Sequence, residues 1–362
     1  MAIDVESKRA SETPMKLDST VVKAIAIDLG FDWAGIAPAV SPPGYPRFLE
    51  WLEADRHAGM DYMERLAAAR VHPENVLEGV RSIVVVALVY GGGGESENAD
   101  PRFGKTARYA RGIDYHQVFW KRLDVLLERI RAIDPSVRGR SACDTAPLLE
   151  RDFAALAGLG WIGKNTMMIS KKLGSFTLLG GLLLDLELEP DARHETNHCG
   201  TCTRCLDACP TSAFDGAYRL DANRCISYWT IEHRGTIAEE FADRLDGWLF
   251  GCDICQDVCP WNRKAPRGKT PELSAGDEWV NVDLIELLEA DDEAISRRLR
   301  GTAFKRAKRS GLLRNAALIL GTRGVVEAIP ALAARTLDRD PVVREAAVWA
   351  IERIESVDPQ PQ

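Results

Sequence analysis

Eight of the nine cysteines fall between residues 199 and 260. Cys199, Cys202, Cys205 and Cys209, followed by Pro210, form the run C-x2-C-x2-C-x3-C-P of bacterial ferredoxins. Cys225 stands alone, and Cys252, Cys255 and Cys259 before Pro260 form C-x2-C-x3-C-P. Eight thiolates are the ligand count of two [4Fe–4S] clusters. In such runs a C-x2-C step supplies neighbouring ligands from one short loop, and the last cysteine reaches the other cluster. The spacing therefore groups Cys199, Cys202, Cys205 and Cys259 around one cluster. Cys209, Cys225, Cys252 and Cys255 take the other, Cys225 replacing the first cysteine that the second run lacks. Four-cysteine zinc sites also use C-x2-C, and small secreted domains spend cysteines on disulfides. The doubled C-x3-C-P ending favours clusters over both.

Other residues could do acid–base or recognition chemistry. Asp144, in Arg-Ser-Ala-Cys-Asp-Thr-Ala-Pro, stands at the end of an expected strand and could donate a proton if its site raises its pKa. A lone aspartate more often caps a following helix. The ninth cysteine, Cys143, reads as a small buried residue. Gly158, Gly160 and Gly163 precede Lys164 and Asn165 in a string like a dinucleotide loop. It follows a helix rather than a strand, which rejects that reading, although the glycines permit close backbone approach to something flat or anionic. His116, after Tyr-Ala-Arg-Gly-Ile-Asp-Tyr, reads as structural. Residues 296–323 hold nine Lys/Arg and no Asp/Glu in a chain of net charge -8. That local reversal suits a phosphate backbone, an acidic electron donor, or an ordinary helix face with acidic partners elsewhere in the chain.

These residues need elements to hold them. Composition, 46% hydrophobic and 28% charged, is that of a soluble globular protein. No apolar run is long enough to span a membrane, and the first residues show neither an apolar signal core nor a twin arginine, so a reducing cytoplasm is expected. Residues 1–17 read as a disordered tail. Ser19 can cap a helix to about Leu29, Trp33 opens a short strand, and Phe48 to Arg65 reads as one helix. Ser82 to Tyr90 is the candidate central strand, with a loop at Gly91–Gly94. His116 to Ile133 is amphipathic, Arg138 to Asp144 a strand with its loop, Glu150 to Leu159 a helix, and Ser175 to Leu188 one or two strands. Strands alternating with helices make 18–190 an α/β domain. The cysteine module occupies 191–265, Lys264 to Pro271 reads as a linker, and 280–358 is helical. There Asp340-Pro-Val-Val-Arg-Glu-Ala-Ala-Val-Trp-Ala-Ile resembles a HEAT-type repeat, too short to stand free. The fold class is α+β multidomain: an α/β domain, a ferredoxin-like two-cluster module and a HEAT-like helical end.

Together these pieces resemble the epoxyqueuosine reductase family, which completes queuosine in tRNA. The resemblance spans the chain from about residue 20. It rests on Tyr-Ala-Arg-Gly-Ile-Asp-Tyr-His, Asp144-Thr, Gly-Trp-Ile-Gly-Lys-Asn, the cysteine module with Arg-Cys225-Ile-Ser-Tyr, and Leu-Leu-Arg314-Asn315-Ala. It implies a cobalamin in the α/β domain, bound without a lower axial histidine. Asp114-Tyr-His116 supplies only half of the D-x-H-x-x-G motif of other cobalamin proteins and is taken as coincidence. By matched positions, Asp144 is the implied proton donor. Arg70, Ser227, Asp253 and Gln256 are implied near the corrin, with Lys164 and Asn165 on the cofactor or substrate side. Electrons from an external low-potential donor of flavodoxin or ferredoxin type would pass through the clusters to reduce an epoxide to an alkene. Lys305, Arg306, Lys308, Arg309 and Arg314 would hold the anticodon loop of tRNA bearing epoxyqueuosine, and the protein would act as a monomer. A corrinoid reductive dehalogenase shares the cofactors but carries a twin-arginine signal, and a bare electron-transfer subunit leaves the large first domain without a task.

Overall fold

The computed structural model describes residues 17–91, 99–274 and 276–356. The expected tail lies almost wholly outside the described residues, as does most of the Gly91–Gly94 loop. Ser82–Val89 forms β2, and its run of β-branched residues is buried along its whole length. It pairs antiparallel with β1 (Trp33–Pro38) and with β7 (Thr177–Leu184), and β7 pairs antiparallel with β4 (Gly139–Ala142). The order is β1-β2-β7-β4. Alternating strands and helices usually accompany parallel pairing, but here every hydrogen-bonded pair of this sheet is antiparallel. The reason is topological: β2 and β4 run the same way, and β7 arrives last and inserts between them in the opposite direction.

Side chains of a strand alternate between its faces, and β2 buries both. Val84, Val86 and Leu88 pack with Leu182 and Leu184 against the helices Ser19–Asp28 and Tyr115–Ile133. Ile83, Val85 and Ala87 pack with Leu183 against Phe153 and Leu156 of the helix Glu150–Leu156. Asp18, not Ser19, caps the first helix, its carboxylate accepting from Thr20 N and Val21 N. The single helix expected from Phe48 to Arg65 is two, Tyr45–Glu53 and Asp61–Arg65. Asp55 and Ala58 between them take positive φ values of 51° and 53°, which no helix accommodates.

A second sheet joins three distant parts of the chain. β3 (Phe103–Thr106) pairs in parallel with β8 (Trp248–Phe250) and antiparallel with β9 (Val282–Asp283). A hairpin, β5 (Trp161–Ile162) with β6 (Met168–Ile169), completes the strands. Around β8 one apolar core runs from Ala107 through Ile226, Leu249 and Phe250 to Leu313, Leu320 and Ala350. The C-terminal helices thus pack on the cysteine module rather than standing free, as their shortness required. The helix Lys308–Thr322 is buried all round from Gly311 to Gly321, a pattern of core helices rather than surface ones. Gly321 permits the crossing with the helix Pro341–Ser356, since a Cβ there would lie 2.7 Å from Ala350 Cα.

Polar groups fasten this core. Arg314, 1% exposed, donates to the carbonyls of Trp229 (2.6 Å), His233 (2.9 Å) and Gly235 (2.7 Å). Asn315 donates to Thr230 O (3.0 Å) and Leu249 O (2.9 Å) and accepts from Arg314. The pair therefore holds the helix Ile226–Ile231, which follows Cys225, against β8, which leads to Cys252. Arg314 is no phosphate ligand: it has no surface to offer one. Arg314→Leu leaves three buried carbonyls without their donor and should cost about 3 kcal/mol of stability, read as a lower denaturation midpoint. An unchanged midpoint would show that the staple is dispensable.

Candidate active site

The cysteine loops gather their thiols into two sets. Cys199, Cys202, Cys205 and Cys259 line a cavity of about 230 Å³ together with Lys164 and Trp261. Burial first, and then Cys199, Cys259 and Cys202, push the Cys205 thiol up to about 11. Cys225 is crowded by Cys209, and Cys252 by Cys225 and Cys255. Cys255 feels Cys225 and Cys209 of its own set and Cys205 of the first, so the two sets adjoin. All nine cysteines are free thiols. Buried thiols that resist ionisation surrender their protons to a cation. Cys143 stays apart, buried and bonded to Leu179 O, as expected.

The loops that carry the thiols are pinned by side chains that are buried or half-buried. Lys164 Nζ donates to Gly200 O (2.7 Å) and Cys202 O (3.0 Å), and Asn165 Nδ2 to Cys255 O (3.3 Å). Asp253, 1% exposed, accepts from Arg108 N (2.8 Å) and pairs with its guanidinium. Burial raises the Asp253 carboxyl to about 6. Gln256 accepts from Ser175 Oγ (3.0 Å) and donates to Tyr90 Oη (3.3 Å). Lys164, Asn165, Asp253 and Gln256 thus direct polar atoms to the cysteine loops and their supports. Of the glycines before Lys164, Gly160 makes room for the Ile169 carbonyl across the β5–β6 hairpin.

Asp144 occupies the turn after β4. Its φ of 56° is left-handed, a strained backbone for any residue but glycine. Its amide donates to Glu150 Oε1 (2.9 Å), and its carboxylate is 67% exposed. Tyr115 Oη donates to Asp144 Oδ2 at 3.0 Å, and His116 Nε2 lies 3.3 Å from the same oxygen. His116 Nδ1 bonds Asp114 Oδ1 at 2.7 Å, and Asp114, itself buried, pairs with Lys305 Nζ at 2.6 Å. Burial works against a charge on His116, but Asp114 and Asp144 outweigh it and hold the imidazolium up to about 9. The surrounding protein opposes ionisation of Asp144 even though its side chain is open to solvent, yet the His116 bond, its charge and the Tyr115 bond hold the carboxyl below the usual carboxylate range. Glu150, behind the turn, is pushed by burial and by Asp144 to about 7.

Tyr115 stacks edge-on to Tyr109, and Tyr109 to Tyr90, with centroids 6.0 and 6.3 Å apart. This half-buried wall leads from Asp144 to Gly251 and Gln256 at the second cysteine run. Arg70 sits on the Asp144 side, near Glu150 and Tyr62, 6% exposed, with Nη1 lacking a hydrogen-bond partner. Ser227 is half-buried and directs its amide and hydroxyl toward the Cys225 sulfur.

Residues 198–262 match the family model described as 4Fe-4S double cluster binding domain. Residues 70–145 match the one described as Epoxyqueuosine reductase QueG, DUF1730. An epoxyqueuosine reductase of Pseudomonas aeruginosa is 39% identical over 330 residues, covering 90% of this chain and 91% of that one. One of Gloeobacter violaceus is 40% identical over 312 residues, covering 84% and 96%. This chain belongs to the epoxyqueuosine reductase family. A crystal structure of epoxyqueuosine reductase with a tRNA-Tyr epoxyqueuosine-modified stem loop superposes with a TM-score of 0.86 at 30% identity, covering 92% of this chain and 89% of that one.

Against this family fold, two residues gain importance that composition and spacing did not assign. His116 touches Asp144 directly, and Asp114 reaches it through His116. The pair lies nearly thirty residues from Asp144, and no local pattern announces their meeting. The basic run, by contrast, loses members. Arg309 is locked in a bidentate pair with Asp338 and a further pair with Asp292, and Arg314 is the core staple. Arg298 pairs with Glu278 (2.8 Å). Lys305, Arg306 and Lys308 remain exposed, and Arg306, paired with Glu232, is close enough to Asp144 to help hold it ionised. Lys164→Met removes both donors to the 200–202 loop. It should speed the release of iron to a chelator several-fold without changing the unfolding midpoint by more than about 1 kcal/mol; wild-type release would show that the loop holds itself.

Proposed function

We propose that this chain reduces epoxyqueuosine to queuosine at the wobble position of tRNA, the last step of queuosine biosynthesis. The observation that carries the reading is Asp144, exposed in a strained turn, bonded by Tyr115 and His116, and bordered by the basic turn at 305–308. Two [4Fe–4S] clusters fit the two thiol sets, with Cys199, Cys202, Cys205 and Cys259 on one and Cys209, Cys225, Cys252 and Cys255 on the other. Cobalamin fits the tyrosine wall between Asp144 and the second set, where half-buried rings offer a flat apolar face and Arg70 a buried, unpartnered donor. Bound there, it would supply low-potential electrons to the epoxide, chemistry that side chains lack. Asp253 and Gln256 would act on that site through the loop they hold.

The chain's own part is protonic and positional. Reduction of the epoxide breaks both bonds to the ring oxygen, forms the alkene, and takes up two electrons and two protons as the oxygen leaves as water. Asp144 is a carboxylate at neutral pH, and the proton is held on His116 Nε2, at 3.3 Å from Asp144 Oδ2. We assign the pair, rather than Asp144 alone, as the general acid: His116 donates through Asp144 as the oxygen departs, and the pair recharges from solvent for the second proton. Asp114 fixes the His116 ring. Lys305, Arg306 and Lys308 would take phosphates of the anticodon loop, so that the modified base meets Asp144. An external low-potential donor of flavodoxin or ferredoxin type would supply electrons to a cytoplasmic monomer. Among the described residues no helix is long and apolar enough to cross a membrane.

Asp144→Asn should keep iron and cobalt yet lower turnover of epoxyqueuosine tRNA about 100-fold or more; retained turnover would remove Asp144 from the reaction. Because His116 is protonated below and neutral above about 9, turnover should be flat near neutrality and fall as pH rises through that value. His116→Asn should be slower at neutral pH and lose that alkaline limb. An unchanged limb would assign it to another group. Neutralising Lys305, Arg306 and Lys308 together should reduce the slope of log Kd against log salt by about 2, and an unchanged slope would move the tRNA elsewhere.

A further inference from the structure

Electrons must enter the chain at its surface, and the two thiol sets are not equally placed to receive them. Cys252 and Cys255 flank Asp253 and Gln256, which are buried beneath the tyrosine wall. The first set lines the cavity that ends at Trp261 and His198, both half-buried. Two segments frame Trp261. One is the turn between Ser170 and Gly174, carrying Lys171 and Lys172. The other follows Cys259 and carries Arg263 and Lys264. They are fastened together: Ser175 N donates to Asn262 Oδ1 (2.7 Å), Asn262 Nδ2 donates to Gln256 O (2.7 Å), and Gly174 lies against Ala265 and the Trp261 carbonyl.

The charge on this rim has one sign. No acidic residue occurs between Asp152 and Asp185 or between Asp257 and Glu272, in a chain of net charge -8. Lys171, Lys172, Arg263 and Lys264 are all exposed, and among the described residues none of the four is in a salt bridge with the chain's own carboxylates. In this they differ from the run at 296–323, where Arg298, Arg306 and Arg309 are paired internally. Unpaired cations around a half-open redox cavity attract and orient an acidic partner during encounter, and do so in a salt-dependent way.

We infer that this rim, Lys171, Lys172, Arg263 and Lys264 around Trp261, is the docking surface for a small acidic one-electron carrier protein. The inference rests on the cluster reading above. Each encounter oxidises the carrier by one electron and reduces the first cluster by one, and two encounters supply one epoxide reduction. No bond forms between the partners. The post-cysteine segment, which resembles a linker by composition, is on this view part of the electron inlet.

The test is the rate at which reduced flavodoxin or ferredoxin bleaches the iron–sulfur absorbance of anaerobic holoenzyme, followed by stopped flow at low and high salt. Lys171→Glu/Lys172→Glu/Arg263→Glu/Lys264→Glu should slow this rate at least 10-fold at low salt and flatten its salt dependence. Iron content, reduction by dithionite and affinity for tRNA should stay at wild-type values. The milder Lys171→Gln/Lys172→Gln change, confined to the turn, should slow it several-fold and guards against misfolding of the first variant. Wild-type rates in both variants would overturn the inference, as would a wild type that accepts electrons from neither carrier. Weakened tRNA affinity with unchanged cluster reduction would also overturn it, marking the rim as an RNA surface. The readout needs no turnover: carrier-dependent bleaching without conversion of epoxyqueuosine tRNA would sink the proposed reaction and leave the docking surface standing.

Discussion

The structure depends on fixing cysteine loops that have little regular secondary structure of their own. Short loops cannot satisfy their carbonyls by a ladder, so buried side chains from elsewhere must do it. Arg314 and Asn315 do so for the helix after Cys225 and for β8. Lys164 and Asn165 do so for the 200–202 turn and for Cys255. Asp253 and Gln256 tie the second run to Arg108, Ser175 and Tyr90 of the first half. Each pin is a polar group that would be costly to bury alone, and each is matched by a polar partner that would be equally costly.

That arrangement explains why parts of all three expected domains meet in one apolar core. The apolar core from Ala107 to Ala350 runs through the cysteine module rather than beside it. The mixed sheet β8-β3-β9 takes one strand from each part. A cluster site built this way is rigid from behind, because the helix Lys308–Thr322 is buried on every side from Gly311 to Gly321. Its front, where the tyrosine wall and the Asp144 turn lie, is the more open side.

The candidate active site concentrates its strain and its charge at one turn. Asp144 has a left-handed backbone braced by Glu150 from behind and by Tyr115 and His116 in front. A proton placed on His116 rather than on the aspartate resolves a conflict between chemistry and electrostatics. A carboxylate this well solvated and partnered is a poor acid alone, yet beside an imidazolium it can pass a proton on. Lys305 and Arg306 close the same network, so the basic turn at 305–308 and the Asp144–His116 pair are electrostatically continuous.

The cysteine spacing by itself announced the double cluster domain at 198–262, because ligand order in such loops is a matter of chain geometry over a few residues. The β2 strand, the amphipathic helix at 115–133 and the buried role of Cys143 were legible for the same local reason. The antiparallel pairing was not, since the insertion of β7 between β2 and β4 depends on a strand that comes after both of them in the chain. Nor could composition separate the basic residues of 296–323 into staples and surface: Arg314 and Lys305 differ only in what the fold packs around them. His116 meets Asp144 because the helix Tyr115–Ile133 and the turn after β4 end at the same edge of the sheet. Motifs record what a few consecutive residues can bind; only the tertiary structure, by deciding which charges are desolvated and which face water, decides what each of them does.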